Sequence, residues 1–269
     1  MHIVDEMILE RATKLQAIPF LWRLIQPVLY KMLGYDAART MADRIADGSG
    51  FDAFGHVSDL LGLRVNCEGL DHVPAQGRTV IIGNHPTGLA DGIAMFDALR
   101  ERRPDLTFMA NADALRVVPK AEDIIIPVEW LLDKRSREKT RLTMRSFRQA
   151  MADERCVVLF PSGTLAKWTL GGLVEKPWAS TATSLARKYD APIVPVHMTG
   201  MNSFLYYLFC ALNTELRDVT LFHELLNKRG NLFELNFGKP VLPEFLPKSA
   251  AEATALIRNI VTGQLAITE

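Results

Sequence analysis

Between residues 78 and 237, short apolar runs alternate with longer stretches whose apolar residues recur at helical spacing. Arg78 to Gly83, Leu106 to Ala110, Asp123 to Val128, Cys156 to Phe160, Ile193 to His197 and Leu232 to Phe237 each read as a buried strand. Asp91 to Arg103 reads as a helix with Ile93, Phe96 and Leu99 on one face. Lys134 to Glu154 reads as a long polar helix striped by Met144, Phe147 and Met151. A further helix is predicted over Thr181 to Tyr189, and a last one from Ser249, where Ser249 and Glu252 have capping-box spacing. Strands alternating with crossover helices predict an α/β fold, a mixed, largely parallel central sheet flanked by helices. In such sheets ligands bind beyond the carboxyl ends of the strands. Three loops there hold the interest: Asn84 to Gly92, Pro161 to Trp168 and Met198 to Ser203.

The first 50 residues follow a different pattern. They are helical in character, with breaks expected near Pro19, Pro27 and Gly34, and Gly48-Ser49-Gly50 marks the boundary. Residues 1–50 are read as an N-terminal helical segment and 51–269 as the main domain. Ile18 to Leu33 and Phe204 to Leu212 are markedly apolar, with Trp22, Tyr30, Arg23 and Lys31 interleaved in the first. Such a stretch either packs into a core or lies in a membrane interface. No run of 18 apolar residues supports a spanning helix, and no basic-then-apolar leader is present at the start.

Composition narrows the partners. Lys plus Arg and Asp plus Glu each number 31, so no broad basic field points to nucleic acid. The three cysteines, Cys67, Cys156 and Cys210, are odd in number and far apart, which argues against a disulfide framework or a zinc site and for a reducing compartment. No metal or cofactor is expected.

The chemistry concentrates in Asn84-His85-Pro86-Thr87-Gly88-Leu89-Ala90-Asp91-Gly92. On a continuous helix, residues six apart point roughly 120° away from each other. Pro86 and Gly88 break that geometry, so the loop can fold back and bring Asp91 to His85. An Asp bonded to one ring nitrogen fixes the tautomer and leaves the other as a base. The plainer alternative is that Asp91 caps a helix and His85 is a satisfied buried histidine.

Asn84-His85 with Asp91-Gly92 resembles the His/Asp motif of the PlsC-like glycerolipid acyltransferases. Five residues separate His from Asp here, as in the hemolysin-like branch, whose block reads Asn-His-Pro-Phe-Gly-Gly-Leu-Asp-Gly. A second block, Phe160-Pro161-Ser162-Gly163-Thr164 with Lys167-Trp168, resembles the acceptor-binding Phe-Pro-Glu-Gly-Thr-Arg-Ser of that family. Ser162 stands in place of the Glu, and no Arg follows Thr164. Ala191 to Val196, followed by Gly200 and Asn202-Ser203, resembles the later Pro-rich strand, and Gly238-Lys239-Pro240 the final strand exit. The Gly and Arg usual before the long middle helix are missing from Ile124 to Trp130. The resemblance spans roughly residues 60 to 245.

The resemblance implies transfer of a fatty acyl group from acyl-CoA or an acyl carrier protein to a hydroxyl of a lysolipid-type acceptor. His85 acts as general base and Asp91 orients it. Asn84, Gly88, Ser162, Gly163, Thr164 and Lys167 bind substrate, and the N–H groups of the Gly88 or Gly163 loops stabilise the oxyanion. Lys134, Arg135, Arg137 and Lys139 are candidates for the phosphates of the donor. The protein is expected to be peripheral, on the cytoplasmic side of a membrane. Two rival readings are a hydrolase using Ser162, which lacks the Gly-x-Ser-x-Gly elbow, and an inactive lipid-binding protein of the same fold.

Overall fold

Five parallel strands form the heart of the sheet, and two further strands, parallel to each other and opposite to the five, extend one edge. The computed structural model describes residues 1–129, 134–169 and 172–266, with only the backbone of Leu21. Trp130, the end of the stretch read as Ile124 to Trp130, lies outside the described residues. The strands are β1 Arg64–Glu68, β2 Thr79–Gly83, β3 Thr107–Asn111, β4 Ile125–Val128, β5 Cys156–Leu159, β6 Lys167–Thr169, β7 Gly172–Val174, β8 Ile193–Met198 and β9 Leu232–Phe237. Seven of them make one sheet in the order β1-β9-β8-β2-β5-β3-β4, and β6 and β7 pair as a separate hairpin. Only β8 and β9 pair antiparallel within the large sheet. The sheet is therefore mixed and largely parallel, as the alternating pattern predicts.

β2 explains why the site sits where it does. All five of its residues are buried, and it pairs in parallel with β5 on one side and β8 on the other. Helices cover both faces, which is why these strands read as unbroken apolar runs. The carboxyl ends of β2, β5 and β8 lie side by side, and the three loops singled out in the sequence leave from them.

The helices are α1 Ile3–Arg11, α2 Pro19–Met32, α3 Tyr35–Ile45, α4 Gly50–Leu61, α5 Leu89–Leu99, α6 Ala114–Val117, α7 Arg137–Ala152, α8 Thr181–Lys188, α9 Phe204–Leu212, α10 Thr214–Asp218, α11 Leu221–Leu226 and α12 Ala250–Asn259. Val4, Met7, Trp22, Leu29, Met41 and Ile45 of the first three helices join the same buried cluster as Phe96 and Phe108 of the main domain.

Two expectations for this region are corrected. Pro27 does not break the chain, because α2 runs through it. Pro27 is exposed, as is Arg23 one turn before it, so the carbonyl it leaves without a partner can be hydrated. Trp22 and Tyr30, which the membrane-interface alternative would put at the lipid headgroup layer, turn inward instead. Trp22 is buried, and Tyr30 stacks on Tyr35 at 4.3 Å with its hydroxyl donating to Asp5.

Candidate active site

The Asn84–Gly92 loop begins with a side chain that acts as an extra rung of the sheet. Asn84 Nδ2 donates to Met198 O at 2.8 Å, and Met198 N–H donates to Asn84 Oδ1 at 2.8 Å. This paired amide ties the end of β2 to the end of β8 and fixes where His85 starts.

The loop then turns sharply. Gly88 has φ 92° and precedes α5; a Cβ there would meet Leu165 at 2.9 Å, so the turn requires glycine. Gly88 is thus the N-cap of α5, and Asp91 is its third residue rather than its cap. Asp91 is fully buried. Its Oδ2 accepts the N–H groups of Thr87 and Gly88 at 2.9 Å each, and its Oδ1 accepts the Thr87 hydroxyl.

The turn delivers the imidazole to the same carboxylate. His85 Nδ1 lies 2.9 Å from Asp91 Oδ2. Nδ1 is buried and makes no aligned hydrogen bond, to Asp91 or to any other group, so the contact is a close approach of ring and carboxylate. One ring face stacks on Phe160, with centroids 4.4 Å apart and planes 12° from parallel. The side chain keeps 19% of its surface exposed. With Nδ1 buried, the open edge is the one that carries Nε2.

The Phe160–Thr164 block leaves β5 beside it. Ser162 is buried, and its hydroxyl reaches Thr164 O at 3.0 Å or Glu175 Oε1 at 3.4 Å. A hydroxyl has one hydrogen, so it donates to one of these at a time. Among the described residues it makes no hydrogen bond to an imidazole, so the Ser–His pair that the hydrolase reading needs is not formed. Thr164 Oγ1 is buried and makes no hydrogen bond. Lys167 stands exposed on β6.

The expected oxyanion donors are otherwise engaged. Gly88 N–H is held by Asp91, and Gly163 N–H donates to Phe160 O at 3.1 Å. Of the cations proposed for phosphates, Lys134 pairs with Glu10 at 3.3 Å and Lys139 with Glu129 at 2.8 Å, while Arg135 donates to Glu129 O. A different set lines a groove of about 380 Å³ between α7 and α8: Arg141, Arg145, Arg148 and Lys188, over Met144 and Tyr189.

Two parts of the site carry no sequence signal. Glu175, just past the β6–β7 hairpin, accepts His85 N–H at 2.5 Å through Oε1 and Trp178 Nε1–H at 2.7 Å through Oε2. Behind the loop, Glu224 and Lys228 form a buried ion pair at 3.0 Å. Glu224 also accepts the N–H and hydroxyl of Ser203. With its amide oriented to satisfy both neighbours, Asn202 Nδ2 donates to Glu224 Oε2 at 3.1 Å and Thr87 O at 3.2 Å. A Cβ at Gly200, where φ is 154°, would meet Thr87 Cγ2 at 2.7 Å, so the β8 loop packs directly on the His85–Asp91 turn.

The family model described as Acyltransferase matches residues 64–199, just over half of the chain, with the first two loops and the start of the third. The chain belongs to the Acyltransferase family. Among similar proteins, a lyso-glycine lipid O-acyltransferase of Phocaeicola vulgatus is 25% identical over 199 residues, covering 71% of this chain and 69% of that one. A lyso-glycine lipid O-acyltransferase of Bacteroides thetaiotaomicron is 23% identical over 257 residues, covering 93% of this chain and 92% of its own. The crystal structure of the 1-acyl-sn-glycerophosphate acyltransferase PlsC from Thermotoga maritima matches with a TM-score of 0.52 at 14% identity, over 99% of both chains, and so shares the fold.

Proposed function

We propose that this acyltransferase moves a fatty acyl group from an acyl thioester to a hydroxyl of a lysolipid at a membrane surface, with His85 as general base. The observation that carries the reading is the 2.9 Å approach of His85 Nδ1 to a fully buried Asp91 within an acyltransferase family chain. The names of the relatives from Phocaeicola and Bacteroides support a lysolipid acceptor.

His85 Nε2, at the open edge, takes the acceptor proton as its oxygen attacks the thioester carbonyl. Asp91 holds the ring and stabilises the imidazolium. Collapse of the tetrahedral intermediate breaks the C–S bond, and the imidazolium returns its proton to the leaving thiolate. The products are an ester and a free thiol. Asn84, Thr87 and Gly88 position this pair. Thr164 Oγ1, a buried hydroxyl without a partner, is assigned to the reacting carbonyl oxygen or the acceptor, since a buried donor left unpaired is costly. The donor is acyl-CoA or acyl carrier protein, and its anionic part is assigned to the Arg141, Arg145, Arg148 and Lys188 groove, whose lining holds no carboxylate.

Two apolar stripes support docking on a bilayer. Phe20, Leu24 and Val28 on α2 are 81%, 66% and 67% exposed, and Phe204, Leu208 and Leu212 on α9 are 81%, 39% and 67% exposed. Both sets have i, i+4, i+8 spacing, one face of a helix. Glu215 of α10, which follows α9, accepts from Thr13, Lys14 and Leu15 just ahead of α2, so the two stripes are tied to each other. Among the described residues, no helix is long and apolar enough to cross a membrane. The two exposed stripes are the basis for assigning the protein a peripheral place, proposed on the cytoplasmic side.

Thioester consumption by the purified chain, with and without lysolipid in vesicles, tests the reading. Free thiol released only when lysolipid is present, and lost in His85→Ala, is the expected result. Thiol release without acceptor points to hydrolysis, and no release with any acyl-CoA or acyl carrier protein points to a lipid-binding protein.

A further inference from the structure

The main chain of His85 is held from a direction that the His/Asp pair does not explain. Its N–H donates to Glu175 Oε1 at 2.5 Å, and its C=O accepts Ala166 N–H at 3.2 Å. Both partners belong to the segment that leaves β5 and runs through the β6–β7 hairpin. His85 is thus clamped between loops from two neighbouring parallel strands, β2 and β5.

Glu175 is itself oriented for this contact. Trp178 Nε1–H, a group that can only donate, occupies Oε2 at 2.7 Å. That fixes the rotation of the carboxylate and leaves Oε1 aimed at His85 N–H, with Ser162 Oγ beside it at 3.4 Å. The acidic residue that the resemblance places at position 162 is absent, and a carboxylate arrives beside Ser162 from position 175 instead.

We propose that Glu175 is a positioning residue for acyl transfer: it fixes the His85 main chain and sets a second negative charge near the imidazole. This rests on the reading of His85 as general base. Proton abstraction makes the ring cationic, and a nearby anion favours that form. The charges facing His85 are Asp91 from α5 and Glu175 from beyond the hairpin. Glu224 and Lys228 stand further back, behind Thr87 and Asp91, and Phe160, without charge, covers one ring face. Burial pushes the Glu175 carboxyl above the usual glutamate range, against the pull of the Trp178 and His85 N–H donors. Both of its oxygens accept N–H groups, an arrangement that favours the carboxylate over the protonated acid.

The test compares Glu175→Gln with the wild-type protein. Glutamine keeps the size and one carbonyl oxygen for His85 N–H, turns its NH2 toward Trp178 Nε1–H, and removes the charge. The primary readout is the pH titration of the His85 ring by NMR, assigned by its loss in His85→Ala. Removing a nearby anion disfavours imidazolium, so the titration midpoint in Glu175→Gln is expected to lie below that of the wild-type protein. The acid limb of kcat/KM should move to lower pH with it, and kcat should drop while the acceptor KM holds. An unchanged or raised His85 pKa overturns the proposal whatever happens to kcat, since a purely structural residue would lower kcat without moving it. Failure of the underlying reading looks different: His85→Ala would then keep wild-type turnover in the same series.

Discussion

Asp91 Oδ2 stands 2.9 Å from His85 Nδ1 and accepts the backbone N–H groups of Thr87 and Gly88 at the same time. One carboxylate therefore closes the first turn of α5 and faces the imidazole. In the sequence, capping a helix and pairing with His85 compete for Asp91; in the structure one carboxylate meets both sets of groups. Asparagine is often a good helix cap, but at this position it offers one acceptor oxygen and turns an NH2 toward groups that already donate. Asp91→Asn is expected to lower turnover by at least ~100-fold and stability by about 1–3 kcal/mol. His85→Ala should match the loss of turnover with unfolding near wild type. Denaturant melts beside initial rates decide this, and near-normal activity in Asp91→Asn would remove the dyad.

The ion pair behind the loop makes a second prediction. Lys228 and Glu224 are almost fully buried, and Glu224 also carries Ser203. Lys228→Met leaves a buried carboxylate without its cation and should cost about 3–5 kcal/mol, measured by denaturant unfolding. Burial raises the Glu224 pKa, but the Ser203 donors and Lys228 outweigh it and hold it below the usual value. A lowered folded pKa contributes stability above the unfolded value that is lost as pH falls through the folded one. The pair's contribution should therefore persist through the ordinary glutamate range and fade at more acid pH. In Lys228→Met the acid loss should begin at higher pH.

The sequence made legible what local chain geometry controls. Pro86 and Gly88 forbid a helix through residues 85–88, so the return of Asp91 to His85 could be inferred from spacing alone. The start of α5 was placed two residues late because Asp91, read as a cap, is the third helical residue. β1 leaves no apolar run in the sequence, because its exposure alternates over only five residues and among the described residues it pairs only with the distant β9. Glu175 was invisible for a stronger reason. It meets His85 across 90 positions, and its place depends on a two-stranded hairpin and on Trp178, neither of which leaves a periodic pattern. Glu224 and Lys228 carry no local mark of burial, and only the tertiary fold buries them.

Lys167 stands exposed on β6, just past the Ser162–Thr164 turn. In the proposed reaction it meets the polar head of the acceptor. Lys167→Ala should raise the acceptor KM several-fold, as an exposed charge contact is worth up to about 1 kcal/mol, and leave the donor KM unchanged. Kinetics with each substrate varied separately checks this. A rise confined to the donor KM reverses the assignment.

The α7–α8 groove makes the complementary prediction. Arg141, Arg145 and Arg148 repeat at spacing that places like charges together on one helix face, an arrangement that costs stability until an anion is present. Arg145→Glu with Arg148→Glu should raise the donor KM at least ~10-fold, about 1.4 kcal/mol, at unchanged acceptor KM. An unchanged donor KM, for both acyl-CoA and acyl carrier protein, removes the groove from the reaction.

Membrane docking has the sharpest structural test, because α2 presents both kinds of face. Trp22, Leu29 and Leu33 pack into the core, while Phe20, Leu24 and Val28 point out. Burying three large side chains in the interface contributes very roughly 4–9 kcal/mol before ordering costs, enough for reversible binding. Changing Phe20, Leu24 and Val28 together to Asp should abolish flotation with anionic liposomes and leave the melting curve close to wild type. Leu29→Asp, on the other face, should unfold or aggregate the protein, which shows that the triple variant keeps its fold because of where its residues point. Turnover separates docking from chemistry: the triple variant should lose activity on lysolipid in vesicles and regain it on lysolipid dispersed in detergent micelles. Undiminished flotation of the triple variant would move the docking surface away from α2 and leave the α9 stripe of Phe204, Leu208 and Leu212 to be tested in the same way.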